Sequence, residues 1–244
     1  MKNSFYLNRL YLFAFIVTLF LQSLQAQQSS THTRMLWFNY NHSISFISRW
    51  SILNDVQIRS RGWATQWAQF ALRTEGYYRL NRKVAVGAGF SWFSTVRYVD
   101  EEMVLPNEWR PFEEVLLELH GKKLGVIQRL RLEQRFLQKT SGTSKLNAYE
   151  HRERLRYRLE GILPVFLNGI DVHVGNEVMA NINYISDNRF FDQNRSFVIV
   201  NCRLSANTQF QFQYIKIFQW FGAARLMDNQ DVLRFGIQQQ LYAH

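Results

Sequence analysis

The sequence predicts an all-β fold, a single antiparallel transmembrane β-barrel, and three observations support this. Charged and apolar residues alternate with a period of two along most of the chain, which is the spacing of a β-strand. The candidate strands are mostly about 9 to 13 residues long, close to the roughly 9 to 11 that cross a bilayer at a tilt. Short and long connections also alternate from the second hairpin onward, as they do in outer-membrane barrels.

The N-terminal segment predicts the compartment. Lys2 and Arg9 precede an apolar run, and Ala26 is a plausible cleavage point, so residues 1–26 are expected to be a signal peptide and residues 27–244 the barrel domain. The apolar run is about 12 residues long, whereas spanning a bilayer takes roughly 20, which argues against a membrane anchor. Cys202 is the sole cysteine, so no internal disulfide is expected.

In each candidate strand before residue 120, polar and apolar side chains fall mainly on opposite faces. The second of them carries Ile52, Val56 and Ile58 on one parity against Asp55 and Gln57 on the other. Glutamates among leucines in the last of them are also compatible with a short helix, and the pattern of its neighbours favours a strand. These segments are residues 34–44, 50–61, 66–80, 84–96 and 112–119.

Two arginine-rich segments follow, residues 129–136 and 152–160, joined by a turn-rich stretch at 139–145. Their charges fall on every second residue, so they predict a hairpin with one charged and one apolar face. In a barrel the arginines must point inward, because each would cost roughly 2 to 4 kcal/mol against hydrocarbon near the midplane.

The last four candidate strands are residues 171–181, 196–204, 209–220 and 231–241. The plainest alternation in the chain lies in the third, where three glutamines oppose Phe210, Phe212 and Tyr214. The count of candidates is eleven, but a barrel with both termini in the periplasm needs an even number. The expectation is therefore about twelve strands, with ten as the alternative.

This pattern assigns residues to the two faces of the barrel. The predicted lumen-lining charged network is Arg129, Arg131, Glu133, Arg135, Arg152, Arg154, Arg156, Arg158, Glu160, His173 and Glu177. The predicted lipid-facing set is Leu130, Leu132, Phe136, Leu155, Tyr157, Leu159, Phe210, Phe212, Tyr214, Leu233, Phe235 and Ile237.

The net charge of +10 and the pI near 9.9 fit nucleic-acid binding in principle, but an exported chain rarely meets nucleic acid. The arginines are therefore expected to find partners inside the fold or on anionic lipid headgroups. The expected partners are outer-membrane lipid, small anionic solutes and the barrel-assembly machinery during biogenesis, and the barrel is expected to be a monomer. No spacing of residues predicts a cofactor or a metal site.

Several functional hypotheses stay open. A salt-bridged interior would make the barrel structural, whereas an arginine-lined wall would make it a narrow pore for small anionic solutes. An enzyme is not expected; the alternative is an outer-membrane lipid hydrolase, but no spacing ties a serine to a histidine and an acid. His173, in a row with Asp171 and Glu177, is expected to form lumen hydrogen bonds. A secreted or periplasmic β-sandwich or lipocalin-like binding protein is the alternative fold.

Residues 129–136 (Arg-Leu-Arg-Leu-Glu-Gln-Arg-Phe), 151–159 and 78–90 together resemble a family of uncharacterised bacterial outer-membrane proteins catalogued as domain of unknown function no. 2490. The resemblance extends over nearly all of the mature chain and rests mainly on the arginine-rich hairpin. It implies a signal-bearing β-barrel in the outer membrane of a Gram-negative bacterium and brings no activity. The family's motif residues in this sequence are Arg129, Arg131, Glu133, Gln134, Arg135 and Phe136.

Overall fold

The structure is a computed structural model, and it describes residues 30–46, 49–121, 124–164, 169–183, 190–221 and 226–242. All regular secondary structure in these ranges is β-strand. The predicted signal peptide, residues 1–26, lies outside the described residues. None of the described segments is a helix long and apolar enough to cross a membrane.

Thirteen strands alternate with turns along the described chain, and eleven of them close into one barrel. Strands β5 and β6 form a separate two-stranded hairpin. The strands are β1 (Ser30–Ser45), β2 (Trp50–Arg61), β3 (Gln66–Arg79), β4 (Val84–Thr95), β5 (Arg97–Val99), β6 (Glu102–Val104), β7 (Asn107–His120), β8 (Gly125–Ser141), β9 (Ser144–Pro164), β10 (Ile170–Asn181), β11 (Phe191–Arg203), β12 (Thr208–Phe221) and β13 (Leu226–Tyr242).

Each barrel strand pairs antiparallel with the next one along the chain, and β4 pairs with β7 across the β5–β6 hairpin. We call the end of the barrel where β3 turns into β4 the turn end, and the opposite end, where β4 leads into β5, the loop end. The segment between Asn107 and His120, where a short helix was the alternative, is strand β7, as its neighbours predicted.

The barrel closes by pairing β1 with β13, and these two strands run parallel. Near the start of both strands Thr31 donates to Asp228, and further along both Tyr40 donates to Gln239. Contacts that advance together along two strands are the mark of parallel pairing, whereas antiparallel contacts would run in opposite directions.

The expectation of about twelve strands, with ten as the alternative, is wrong, because the barrel has eleven. That expectation rested on an even count with every neighbouring pair antiparallel. A parallel pair at the closure satisfies the backbone hydrogen bonds of both terminal strands with an odd count, so no further crossing is needed.

One predicted long connection is also wrong. The connection that contains the turn-rich stretch at 139–145 was expected to be one of the long ones, starting at Gln138, but β8 runs to Ser141 and β9 begins at Ser144. The two strands continue as a hairpin beyond their neighbours, because β7 pairs with β8 only up to Leu137 and β10 pairs with β9 only back to Arg154.

Side chains of the barrel alternate between an apolar outer face and a polar inner face. All twelve residues of the predicted lipid-facing set lie on the outer face, seven of them exposed and five half-buried among neighbouring side chains. Phe235 contacts Phe38, Phe210 and Phe212 there, so aromatic rings form a continuous strip across the β12–β13–β1 closure. The inner face holds most of the buried charged residues.

Candidate functional site

Arg131 is the most buried charged side chain of the inner face, with 1% of its surface exposed. It comes from β8 and donates to Glu114 on β7 and to Glu75 on β3, the latter at 2.8 Å. Its guanidinium carbon also lies 3.9 Å from the ring centre of Phe112. Because this arginine bonds carboxylates on two other strands, it connects β8 to β7 and β3 along the inner face of the neighbouring strands β3, β4, β7 and β8.

A second group of ion pairs connects β8, β9 and β10. Arg156 bonds both Glu133 and Glu177, and the distance to Glu177 is 2.9 Å. Arg154 also bonds Glu133, while Arg129 donates to Glu177 at 2.8 Å. Each carboxylate is therefore shared by two guanidinium groups, as buried charges require if they are to stay ionised.

Near the loop end, Arg110 and Arg135 both donate to the same oxygen of Glu108 at 2.6 Å. Arg110 also lies with its guanidinium carbon 3.8 Å from the ring centre of Phe93. Phe93, Glu108, Glu133 and Arg154 at this level are buried, and the side chains of Arg110 and Arg135 are 12% exposed, so the interior here is packed with side chains. We call this level the ion-paired layer; it comprises Phe93, Glu108, Arg110, Glu133, Arg135 and Arg154.

Near the turn end, His173 lies between two carboxylates. Its Nδ1 contacts Glu160, and its Nε2 lies 2.5 Å from Asp171 Oδ2. Asn201 Nδ2 also lies 3.1 Å from Nε2, so each ring nitrogen has polar neighbours within hydrogen-bond distance. Such a ring has no free nitrogen with which to accept a proton as a general base.

A cavity of about 840 Å³ occupies the lumen between the turn end and the ion-paired layer. Its volume lies within the range typical of small-molecule sites. Eight arginines and five carboxylates line it, so positive charge is in excess. The arginines are Arg59, Arg73, Arg129, Arg156, Arg158, Arg195, Arg203 and Arg234, and the carboxylates are Asp55, Glu75, Glu160, Asp171 and Glu177.

All eleven residues of the predicted lumen-lining network lie on the inner face of their strands. Arg129, Arg156, Arg158, Glu160, His173 and Glu177 line the cavity itself. Arg131, Glu133, Arg135 and Arg154 lie deeper, in the packed interior. Arg152 differs, because it is on the protruding part of β9 and its ion pair is with Glu150 of the same strand.

The lumen also contains an apolar strip that the sequence patterns did not indicate. Trp37, Phe197, Ile199, Ile215 and Val232 are buried in one cluster on the inner face of β1, β11, β12 and β13. The signal was present in the parity of the strands, because Phe197 and Ile199 share a face with Arg195 and Ile215 shares one with three glutamines. Apolar residues at positions that alternate in step with the polar residues of a strand face the lumen as well, and the sequence analysis did not identify them as lumen residues.

Several arginines of the lumen were also missed, because they lie outside the arginine-rich hairpin. Arg59, Arg73, Arg110, Arg195 and Arg234 come from five different strands. None of them belongs to a run of three or more alternating arginines, and only closure of the barrel brings the five to one interior. No group of three or more histidine, cysteine, aspartate or glutamate residues in the described ranges is arranged to hold a metal ion.

A family model described as protein of unknown function (DUF2490) matches residues 35–227. The NanC porin structure has 11% sequence identity and a TM-score of 0.50, and the match covers 82% of this chain and 91% of the porin chain. The β domain of the Bordetella autotransporter BrkA has 9% identity and a TM-score of 0.44, with 69% and 76% of the two chains covered.

Among curated proteins, no sequence matches this chain. At an identity as low as that with the porin, the similarity concerns the barrel fold alone. The family match spans most of the chain, including every barrel strand from β2 to β12, and includes the arginine-rich hairpin. The chain therefore belongs to the family described as protein of unknown function (DUF2490).

Proposed function

We propose that this protein is an outer-membrane β-barrel whose arginine-rich lumen forms a narrow path for small anionic solutes. Its insertion in a membrane is supported by the outer face, where apolar side chains from all around the barrel are exposed. A surface of this kind would be unfavourable in water by roughly 25 cal/mol for each Å² of apolar area. A closed barrel in lipid removes that penalty and leaves no strand edge unpaired.

The excess of arginine in the lumen cavity carries the proposal of an anion path. Eight arginines face five carboxylates there, and the low dielectric of a narrow lumen strengthens their combined field. A ring of fixed positive charge raises the local concentration of anions and lowers that of cations, which is how charged pores select their ions.

The ion-paired layer gives a reason to keep a structural role as a second candidate. Glu133 and Arg154 are 2% and 5% exposed, so in this conformation they fill the interior beyond the cavity. Passage of a solute through the whole barrel requires these side chains to separate. A barrel in which they stay together is a rigid membrane protein that conducts nothing.

We propose no enzymatic role. His173 has both ring nitrogens bonded to carboxylates, and His120 has an exposed side chain whose ion-pair contact is with Glu118 at 3.9 Å. His151 packs its ring against Phe136. The hydrolase alternative needs a nucleophile bonded to a histidine, and in the described ranges none of these three has such a contact.

The test is conductance of the refolded protein in a planar bilayer, after its gel mobility has been shown to change on boiling as that of a folded barrel does. Discrete current steps whose reversal potential in a KCl gradient shows anion preference are expected. Arg156→Gln should reduce that preference, and Lys145→Gln, at the tip of the protruding hairpin, should leave it unchanged. A folded, inserted barrel that stays silent would favour the structural role and contradict the pore.

A further inference from the structure

Three arginines on one side of the lumen cavity lack close carboxylate partners. In the part of the chain that the structure describes, Arg59 and Arg234 form no ion pair within 4.0 Å, and Arg195 is 3.9 Å from Glu177. Arg59 instead donates to the glutamines Gln57 and Gln69, and Arg234 donates to Gln211. A neutral amide accepts a hydrogen bond but does not compensate the charge, so positive potential is concentrated on this wall.

Trp37 brings two of these arginines together. The guanidinium carbon of Arg59 lies 4.0 Å from the centre of the indole ring, and that of Arg195 lies 5.9 Å from it. Arg195 donates through Nε to Gln193 at 2.7 Å, and its terminal nitrogens form no hydrogen bond with any described residue. The indole N–H of Trp37 is buried and also has no acceptor among the described residues.

These groups are all donors, and they line the same cavity. The terminal nitrogens of Arg195 and the indole N–H of Trp37 lack acceptors, and Arg59 has only neutral amides as acceptors. Buried donors of this kind are unfavourable, because they have lost their bonds to water and their charge is not compensated. An oxyanion supplies several lone pairs and a negative charge at once, and guanidinium groups bind such anions with short, charge-assisted hydrogen bonds. The arrangement therefore fits an anionic group placed between Arg59 and Arg195.

An apolar surface lies next to this cationic wall. Phe197 of β11 is directly opposite Ile215 of β12 in the sheet register, and both belong to the buried cluster that includes Trp37. Both also line the cavity. Phe197 and Ile215 have 5% and 4% of their surface accessible, and Arg158 lies over one face of the Phe197 ring. The hydrocarbon part of an organic acid would contact the accessible edge of this apolar pair, whereas an inorganic anion has no apolar part to do so.

We propose that this wall of the lumen binds a small amphipathic organic acid. Its anionic group is held by Arg59, Arg195 and the indole N–H of Trp37, and its apolar body packs against Phe197 and Ile215. This proposal rests on the proposed anion path, and it specifies the class of solute that would pass along that path. The site needs only the folded barrel, so its binding is separable from conduction.

The test is isothermal titration calorimetry on the folded protein in detergent, with phenylbutyrate as the probe and the heat of its transfer to empty micelles subtracted. Acetate lacks the apolar body, and phenylbutanol lacks the charge. Phenylbutyrate should bind measurably more tightly than either. Arg195→Gln should weaken phenylbutyrate binding about tenfold or more, since it removes a charge-assisted contact, and Lys145→Gln should leave it unchanged.

Folding of every variant is checked by its change of gel mobility on boiling, and Arg59→Gln serves as a second variant if Arg195→Gln does not fold. Acetate that binds as tightly as phenylbutyrate would overturn the amphipathic class, and binding unaffected by both arginine variants would overturn the site. Binding of phenylbutyrate by a barrel that conducts no current in a bilayer would support the site and contradict the pore. Conduction by a barrel that does not bind phenylbutyrate would support the pore and contradict the site.

Discussion

Trp37 of β1 lies directly opposite Arg59 of β2, and the arginine guanidinium is stacked on the indole ring inside the barrel. Trp37 is only 4% exposed, whereas the next residue, Phe38, is 49% exposed. The stacked pair joins the two kinds of lumen surface, because Trp37 belongs to the apolar strip and Arg59 to the cationic wall.

Replacing Trp37 with alanine should destabilise the barrel. The substitution leaves a void in the buried apolar cluster and removes the ring on which Arg59 lies, and a loss of about 3 kcal/mol is expected from large-to-small changes at packed sites. The measurement is urea unfolding of the folded protein in lipid vesicles. Trp67→Ala is the control, because Trp67 is 66% exposed and its truncation leaves no buried cavity.

Glu133→Gln should be destabilising by about 3 kcal/mol, because it leaves the buried charges of Arg154 and Arg156 without a shared carboxylate. The matched control is Glu150→Gln on the protruding hairpin, where the pair with Arg152 is partly exposed and its loss should change stability by less than about 1 kcal/mol. Both are compared by urea unfolding. Equal effects of the two substitutions would contradict a packed, charged interior at Glu133.

Gly236→Ala should disturb the closure of the barrel. A Cβ at Gly236 of β13 would clash with the side-chain amide of Asn39 on β1, so that buried side chain would have to move. A destabilisation of about 1 to 3 kcal/mol is expected from such overpacking. Gly76→Ala is the control, because a Cβ there meets nothing within 4 Å. An unchanged stability of Gly236→Ala in urea unfolding would argue against close packing of the Asn39 side chain on Gly236 at the β1–β13 closure.

Phe212→Asp should impair insertion into lipid. Phe212 is on the outer face and packs against Phe235, so the carboxylate would have to be buried in hydrocarbon. The readout is the fraction of refolded protein that shows the gel mobility of a folded barrel after mixing with vesicles. Asn207→Asp, in the turn between β11 and β12, adds the same charge at the end of the barrel and should insert normally. Normal insertion of Phe212→Asp would contradict a lipid-facing role.

The alternation of side chains was sufficient to predict strands and to separate the two faces. Arg131 and Leu132 are adjacent in sequence, and the first is fully buried while the second is exposed. This follows from the period of two, which is a local property of the extended backbone. The same local rule does not distinguish a long loop from a protruding hairpin, so the length of the connection at 139–145 was predicted wrongly.

The closure of the barrel was not predictable from local pattern. Whether β1 meets β13 parallel or antiparallel depends on the number of strands between them, and no single strand carries that information. Contacts such as that between Tyr40 and Gln239 join residues almost at opposite ends of the chain. The even strand count expected for this chain was therefore based on what other barrels show, and no residue of this sequence required it.

The sequence by itself determined that this chain forms strands with one charged and one apolar face, because a period of two is a local property of the extended backbone. It also placed the arginines and glutamates that alternate along the arginine-rich hairpin on the inner face. Only the tertiary structure decided which charges meet, because Arg59 and Arg195 come from β2 and β11 and are brought together only when the barrel closes. The cationic wall beside an apolar strip is therefore a property of the closed barrel.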